Sequence, residues 1–254
     1  MKYFDILQSF HLSILQWIAI CFAVFLLGVS KSGVKGIGIV LVIIFAFVFG
    51  EKASTGILLP MLIAADIMAV TYYNRHANWH YIKKLMPWMV IGVLVGVWLG
   101  NDISEALFKK IMAVIIISSV IIMFLTERHK STKTPTNPIF SVTAGFFAGF
   151  STMIGNLAGP ISNVYFLAMR LPKNEFIGTA AWLFFIINVF KLPFHFFVWK
   201  TVTKETLVLN LVLLPVIVLS FFLGAWIVKQ ISNVNYRRFV LVLTAIGGII
   251  MLFR

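Results

Sequence analysis

The sequence predicts an all-α membrane protein, built as a polytopic bundle of transmembrane helices. Of its 254 residues, 61% are hydrophobic and 11% are charged, whereas a soluble domain has about 25% charged residues. The mean hydropathy is +1.00, and long apolar runs follow one another along the whole chain. A chain of this composition has too little polar surface to be soluble, so we expect it to lie in a lipid bilayer.

Charge and cysteine content exclude several other classes. The net charge is +13, but the basic residues cluster at the ends of apolar runs, where they set orientation and meet lipid headgroups. We therefore expect no nucleic-acid partner. The single cysteine, Cys21, lies inside an apolar run, so we expect neither a disulfide framework nor a metal site. No cleavage site of small residues follows the first run, which we interpret as a retained span.

Ten apolar runs divide the chain into two halves of five. The first half, residues 1–126, holds the runs Leu12–Leu27, Ile37–Phe49, Ala53–Tyr73, Ile82–Leu99 and Phe108–Thr126. A polar linker, residues 127–137, has the sequence ERHKSTKTPTN. The second half, residues 138–254, holds the runs Pro138–Thr152, Asn156–Met169, Phe176–Trp199, Thr206–Val228 and Phe239–Phe253. The second run of the first half and the first two of the second half are shorter than the roughly 20 residues of a full span, which predicts broken or re-entrant helices.

The two halves align with each other. At a spacing of 122 residues the aligned pairs are Gly33 with Gly155, Gly56 with Gly178, and Asp66 with Asn188. At a spacing of 128 they include Pro87 with Pro215 and Gly96 with Gly224. The common order of these pairs, with gaps only in loops, predicts a duplication. Because each half has an odd number of runs, the second half enters the membrane from the opposite side, which predicts an inverted repeat with a site near the midplane.

The distribution of basic residues predicts the orientation. The basic residues divide into two sets on opposite sides of the membrane, and the larger set includes those of the linker. We therefore expect the side with the larger set to face the cytoplasm of a prokaryotic cell and both termini to face outward. A monomer and a homodimer both remain open.

Two glycine-rich stretches interrupt the apolar runs at corresponding places, Gly28–Gly38 (GVSKSGVKGIG) and Gly149–Gly159 (GFSTMIGNLAG). Broken helices expose backbone N–H groups and positive dipole ends, which bind anionic oxygens. The alternative is that the glycines only allow close helix packing and the lysines extend to the headgroups. Since both halves carry a break, we predict a small-anion site that comprises Ser30, Lys31, Ser32, Gly33, Lys35, Ser151, Thr152, Gly155, Asn156 and Asn163.

The third run of each half supplies the remaining candidates. Asp66 lies deep in its run, and an acid inside a span is a functional candidate by default. Its counterpart Asn188 shares a helical face with Lys191 and His195, and Pro193 should kink that helix. We predict that Asn188 and Lys191 bind the substrate, and that Asp66 and His195 carry a coupling proton, because burial favours the protonated carboxyl. The alternatives are that Asp66 pairs permanently with Lys191 or a backbone amide, and that His195 only meets the membrane interface.

The same stretches carry a resemblance to a known family. GVSKSGVKG, ASTGILLPMLIAADIMAVTYYNRHANW and AGFFAGFSTMIGNLAGPISNVYFLAMRLPKNEFIGTAAWLFFIINVFKLPFHF are similar to the TauE/SafE family of small bacterial permeases. The resemblance implies an inner-membrane secondary transporter that exports sulfite or an organosulfonate. Many members have a plainer glycine-rich run where this chain has Lys31 and Lys35, and two lysines suit a doubly charged or larger anion.

The sequence contains no motif of a soluble enzyme, neither a Walker loop nor HExxH nor CxxC. We therefore expect a transporter without a cofactor. The alternatives are an importer, a carrier of another small oxyanion or carboxylate, and, from another class, an intramembrane enzyme.

Overall fold

The computed structural model describes residues 7–101 and 137–232, together with single residues and short pieces between 103 and 121 and between 235 and 242. The predicted linker lies outside the described residues except for Asn137, and so does most of the last apolar run of each half. The described residues contain no strand.

Eight α-helices have both ends among the described residues. They are α1 (Ile14–Lys31), α2 (Gly38–Phe49), α3 (Glu51–Tyr73), α4 (Trp79–Asn101), α5 (Pro138–Gly155), α6 (Ala158–Ala168), α7 (Lys173–Pro193) and α8 (Lys204–Gln230). Local signals start several of them: Ser13 and Gln16 form a capping box at α1, Thr203 and Thr206 form one at α8, and Asn137 caps α5. After Pro193, α7 passes into a π-helical turn, Phe194–Val198, as expected where proline removes a backbone donor.

Six helical segments are long and apolar enough to cross a membrane. They are Ile14–Lys31, Glu51–His76, Trp79–Asn101, Pro138–Gly155, Lys173–Val198 and Lys204–Gln230. By contrast, α2 has 12 residues and α6 has 11, so at 1.5 Å per residue each is about 17 Å long and too short for a hydrocarbon core of about 30 Å. The short helices expected at the runs Ile37–Phe49 and Asn156–Met169 are confirmed. The first run of the second half is longer than predicted, because α5 continues past Thr152 to Gly155.

Glycines bring two pairs of helices into close contact. A Cβ at Gly28 of α1 would lie 2.6 Å from the Ile217 carbonyl oxygen of α8, and a Cβ at Gly149 of α5 would lie 2.0 Å from the Met89 carbonyl oxygen of α4. In both pairs the residue numbers of the contacts increase along the two helices together, since Gly224 of α8 contacts Val29 of α1 and Gly96 of α4 contacts Met153 of α5. Helices α1 and α8 are therefore parallel, and so are α4 and α5. Small residues that let backbones approach are the usual means of helix association in membranes.

Helices α3 and α7 cross each other in the opposite sense. A Cβ at Gly56 near the start of α3 would meet Thr201, beyond the end of α7, and one at Gly178 near the start of α7 would meet the carbonyl oxygen of Tyr73. Between these ends the Asn188 amide reaches Asp66. As the residue numbers of these contacts increase along α3, they decrease along α7. The two helices are therefore antiparallel and meet near their middles.

Candidate functional site

The first break lies between α1 and α2 and is held by two buried tyrosines. The chain leaves α1 at Lys31, passes Gly33 (φ +120°) and Gly36 (φ +105°), and enters α2 at Gly38. Positive φ values of this kind favour glycine. The Tyr73 hydroxyl donates a hydrogen bond to the Ser32 carbonyl (2.7 Å), and the Tyr236 hydroxyl donates one to the Gly33 carbonyl (2.6 Å). The break is thus an irregular segment in which two buried hydroxyl groups satisfy the carbonyl groups of Ser32 and Gly33.

The second break lies between α5 and α6 and is held by a lysine. Asn156 adopts a left-handed conformation (φ 56°) after the last residue of α5, and its amide donates to the Thr55 carbonyl. The Lys191 ammonium donates to the Thr152 carbonyl (2.8 Å), the Thr152 hydroxyl (3.0 Å) and the Asn156 side-chain oxygen (2.7 Å). These three bonds use all three donors of the ammonium, so Lys191 satisfies the end of α5.

One cavity of about 70 Å³ lies between the two breaks. Its polar lining comes from both breaks and from α6 and α7: Ser30, Lys31, Lys35, Thr152, Asn156, Asn163 and Asn188. The amino-terminal ends of α2 and α6 also line it, through Gly38 and Ile39 and through Ala158 and Gly159. Neither end has a side-chain hydrogen bond at its N-cap. Two positive helix ends therefore border the same small space.

Positive charge exceeds negative charge around this cavity. The Lys31 ammonium lies 2.6 Å from Asp66 Oδ1 in a buried ion pair, and Asn188 Nδ2 donates to Asp66 Oδ2 (2.7 Å). Lys35 is 4% exposed and makes no ion pair among the described residues; its ammonium lies 5.7 Å from the centroid of the Phe184 ring. The two lysines that line the cavity, Lys31 and Lys35, therefore outnumber the one carboxylate, and an anion would balance the remaining charge.

Asn163 presents an unpaired polar group to the cavity. Its side chain is buried, lines the cavity, and its Oδ1 has no hydrogen-bond partner among the described residues. Buried amides are normally satisfied, so a hydrogen-bond donor in the cavity, such as a water, would supply the missing bond.

Lys191 and His195 lie away from the cavity. Lys191 is fully buried behind Thr152 and Asn156 and does not line the space. His195 is also buried; its Nδ1 is 2.8 Å from the Thr201 hydroxyl, and its Nε2 has no partner among the described residues. The carboxylate of Asp66 pairs with Lys31, where the sequence had suggested Lys191 or a backbone amide, so neither Lys191 nor His195 is its direct partner.

Four predicted residues do not line the cavity. The Ser32 hydroxyl donates to the Val29 carbonyl and packs where a Cβ on Gly224 would lie, and the Ser151 hydroxyl donates to the Ala148 carbonyl. Gly33 and Gly155 do not line the cavity either. Glycine and serine in a break serve backbone geometry as readily as a ligand, and the sequence cannot separate the two uses.

Three aromatic side chains at the site were not predicted from the sequence. Phe184 lines the cavity, and its ring lies 5.0 Å from the Lys31 ammonium. It precedes Asn188 by four residues, so helical spacing could have placed it on the same face. Tyr73 and Tyr236 hold the first break, but nothing in their local sequence indicates which carbonyl groups they reach.

The chain matches the model of a known protein family. The family model described as "Sulfite exporter TauE/SafE" matches residues 20–251, which include both breaks and every cavity-lining residue. No curated protein and no solved structure matches the chain.

Proposed function

The chain belongs to the TauE/SafE sulfite exporter family, whose members are membrane transporters and not enzymes, and on this premise we propose that it exports a small sulfur oxyanion through the cavity between its two breaks. The observation that carries the proposal is the convergence of two uncapped helix ends and two buried lysines, Lys31 and Lys35, on one space. Helix N-termini and ammonium groups both stabilise anionic oxygens.

The size and charge of the cavity favour a compact anion. Its volume of about 70 Å³ is far below the roughly 300–1,000 Å³ of pockets for drug-sized ligands. The two lysines that line the cavity, Lys31 and Lys35, suit an anion with up to two negative charges. Sulfite meets both conditions, whereas an organosulfonate adds a tail for which this conformation has little room.

Two related halves of opposite orientation would give the site alternating access. The proposal of an inverted repeat is supported by the aligned residues Asp66 and Asn188, which touch each other on antiparallel helices. It is further supported by the exchange of partners, since α1 of the first half packs on α8 of the second and α5 packs on α4. A two-fold axis in the membrane plane relates such helices, and the substrate then sits where the halves meet.

Coupling, location and direction complete the proposal. Asp66 is buried beside the cavity and pairs with a lysine that lines it, so we propose that proton binding at Asp66 is linked to anion binding. The six helical segments that are long and apolar enough to cross a membrane place the protein in a membrane. We propose that this is the inner membrane of a prokaryotic cell. Import of the same anion, or transport of another small oxyanion or carboxylate, would use the same site. Flux measurements distinguish import from export, and binding measurements distinguish the substrates.

A binding screen followed by flux measurement tests the proposal. Sulfite, sulfate, thiosulfate, methanesulfonate and acetate are added to the purified full chain, and a ligand of the folded state raises its unfolding temperature. We expect sulfite and sulfate to raise it more than methanesulfonate or acetate. Saturable flux of the best ligand in liposomes then indicates a carrier. A preference for acetate or for methanesulfonate would contradict the assignment of a compact dianion, and chemical turnover of the ligand would indicate an enzyme.

A further inference from the structure

We infer that the anion and one proton are carried together, because the anion takes Lys31 from Asp66 and Asp66 accepts a proton in exchange. This inference rests on the proposed function and states the direction in which the proton moves relative to the anion.

The first step is that Lys31 belongs to two environments. Its ammonium pairs with Asp66, and its side chain also lines the cavity. Asp66 is 0% exposed and does not line the cavity. An anion in the cavity therefore reaches Lys31 directly but not Asp66, and the two negative groups compete for one ammonium.

The second step is that, among the described residues, no other cation near Asp66 is free to replace Lys31. The groups that face Asp66 are Lys31 from α1, Lys35 from the first break, and Asn188 and Lys191 from α7. Lys191 uses its three donors on Thr152 and Asn156, and Lys35 lines the cavity, where it faces the anion. Asn188 contributes a neutral amide. Only a proton can then neutralise the carboxylate.

The third step is the cost of leaving Asp66 charged. A buried carboxylate that loses its cation is strongly disfavoured, and the group protonates instead. The occupied site thus contains the anion, Lys31, Lys35 and a neutral Asp66. The empty site contains the ion pair Lys31–Asp66, as the structure has it.

The direction of coupling follows. The proton binds with the anion and leaves with it, so the two move in the same direction. A dianion with one proton carries one net negative charge, and a membrane potential that is negative inside drives this charge outward. Export would then draw on the membrane potential and not on inward proton flow.

The test measures sulfate binding to the purified full chain between about pH 5 and 6. In this range sulfate itself does not titrate, and the range lies below the pKa of Lys35, which burial lowers to about 7. One proton taken up per anion predicts an affinity that rises with falling pH, with a slope that approaches tenfold per unit. Asp66→Asn should bind sulfate with an affinity that no longer depends on pH. Glu205→Gln, at an exposed position on α8, is the matched control and should keep the wild-type slope.

A second measurement keeps the inference testable if Asp66→Asn does not fold. Addition of sulfate to the wild-type protein in weak buffer should raise the pH, and a sulfate gradient across liposomes should move protons in the same direction as sulfate. Binding without a pH slope, or a slope that survives in Asp66→Asn, overturns the inference and the proposed coupling at Asp66, while the proposed anion site and transport stand. Proton movement opposite to sulfate overturns the inference alone. If no small oxyanion binds at any pH, the proposed function fails and the inference fails with it.

Discussion

Lys35 offers a clear test of the anion site, because its charge can be removed without breaking an ion pair. It is 4% exposed, lines the cavity, and makes no ion pair among the described residues. A hydrogen bond to a charged group contributes about 1.5–3 kcal/mol, which corresponds to roughly 10- to 150-fold in affinity. We therefore expect Lys35→Gln to weaken the binding of sulfite or sulfate by a factor in this range.

The stability of the same variant separates a binding role from a folding role. A buried ammonium without a counter-ion costs free energy in the empty protein, so Lys35→Gln should leave the unfolding temperature without ligand unchanged or raise it. The assay is isothermal calorimetry for affinity, paired with thermal unfolding in the same detergent. Lys84→Gln, on an exposed part of α4, removes an equal charge away from the cavity and controls for general electrostatics.

Two results would refute the reasoning about Lys35. An affinity within about twofold of wild type would show that Lys35 does not contribute to anion binding, since even one weak charged hydrogen bond is worth more than this. Equal losses in Lys35→Gln and Lys84→Gln would show that only the overall charge of the protein matters.

The other predictions concern the architecture. Gly149→Ala should lower the unfolding temperature through a destabilisation of about 1–3 kcal/mol, because its Cβ would lie 2.0 Å from the Met89 carbonyl oxygen, whereas Gly159→Ala meets nothing within 4 Å and should have no such effect; equal stability of the two variants would contradict the close contact of α4 with α5. In a Cys21-free background, cysteines at the exposed positions Arg75 and Lys200 should react with an impermeant thiol reagent from opposite sides of the membrane, since α3 and α7 are antiparallel. Labelling of both from one side would rule out the inverted repeat.

Much of the architecture could be predicted from hydropathy and glycine content. The apolar runs identify α3, α4, α7 and α8 closely, because a span must satisfy its backbone internally and cover itself with apolar side chains. The two breaks were recognised from their glycines, and the family followed from the residues around them. The first run of the second half was less well predicted: Ile154 and Gly155 continue α5, because glycine in a membrane helix can serve packing as well as interruption.

The candidate site was predicted in outline but not in its pairing. Seven predicted residues line one cavity, since they lie on the two breaks and on the face of α7 that meets them. Lys191 was assigned to the substrate, yet it holds the second break from behind. Helical spacing predicts which face of the helix a residue lies on. Which groups a long side chain reaches depends on the neighbouring helix against which that face packs.

The sequence by itself determined that this protein lies in a membrane, where its two breaks are, and that positive charge is in excess near them. These features follow from composition and local backbone freedom, which do not depend on tertiary contacts. Only the tertiary structure decided that Asp66 pairs with Lys31 and touches its own counterpart Asn188. These partners lie 35 and 122 residues away, and their distances depend on how α1, α3 and α7 rotate as they pack. The choice of cation for one buried carboxylate is therefore a property of helix packing, and it decides which lysine an anion can take.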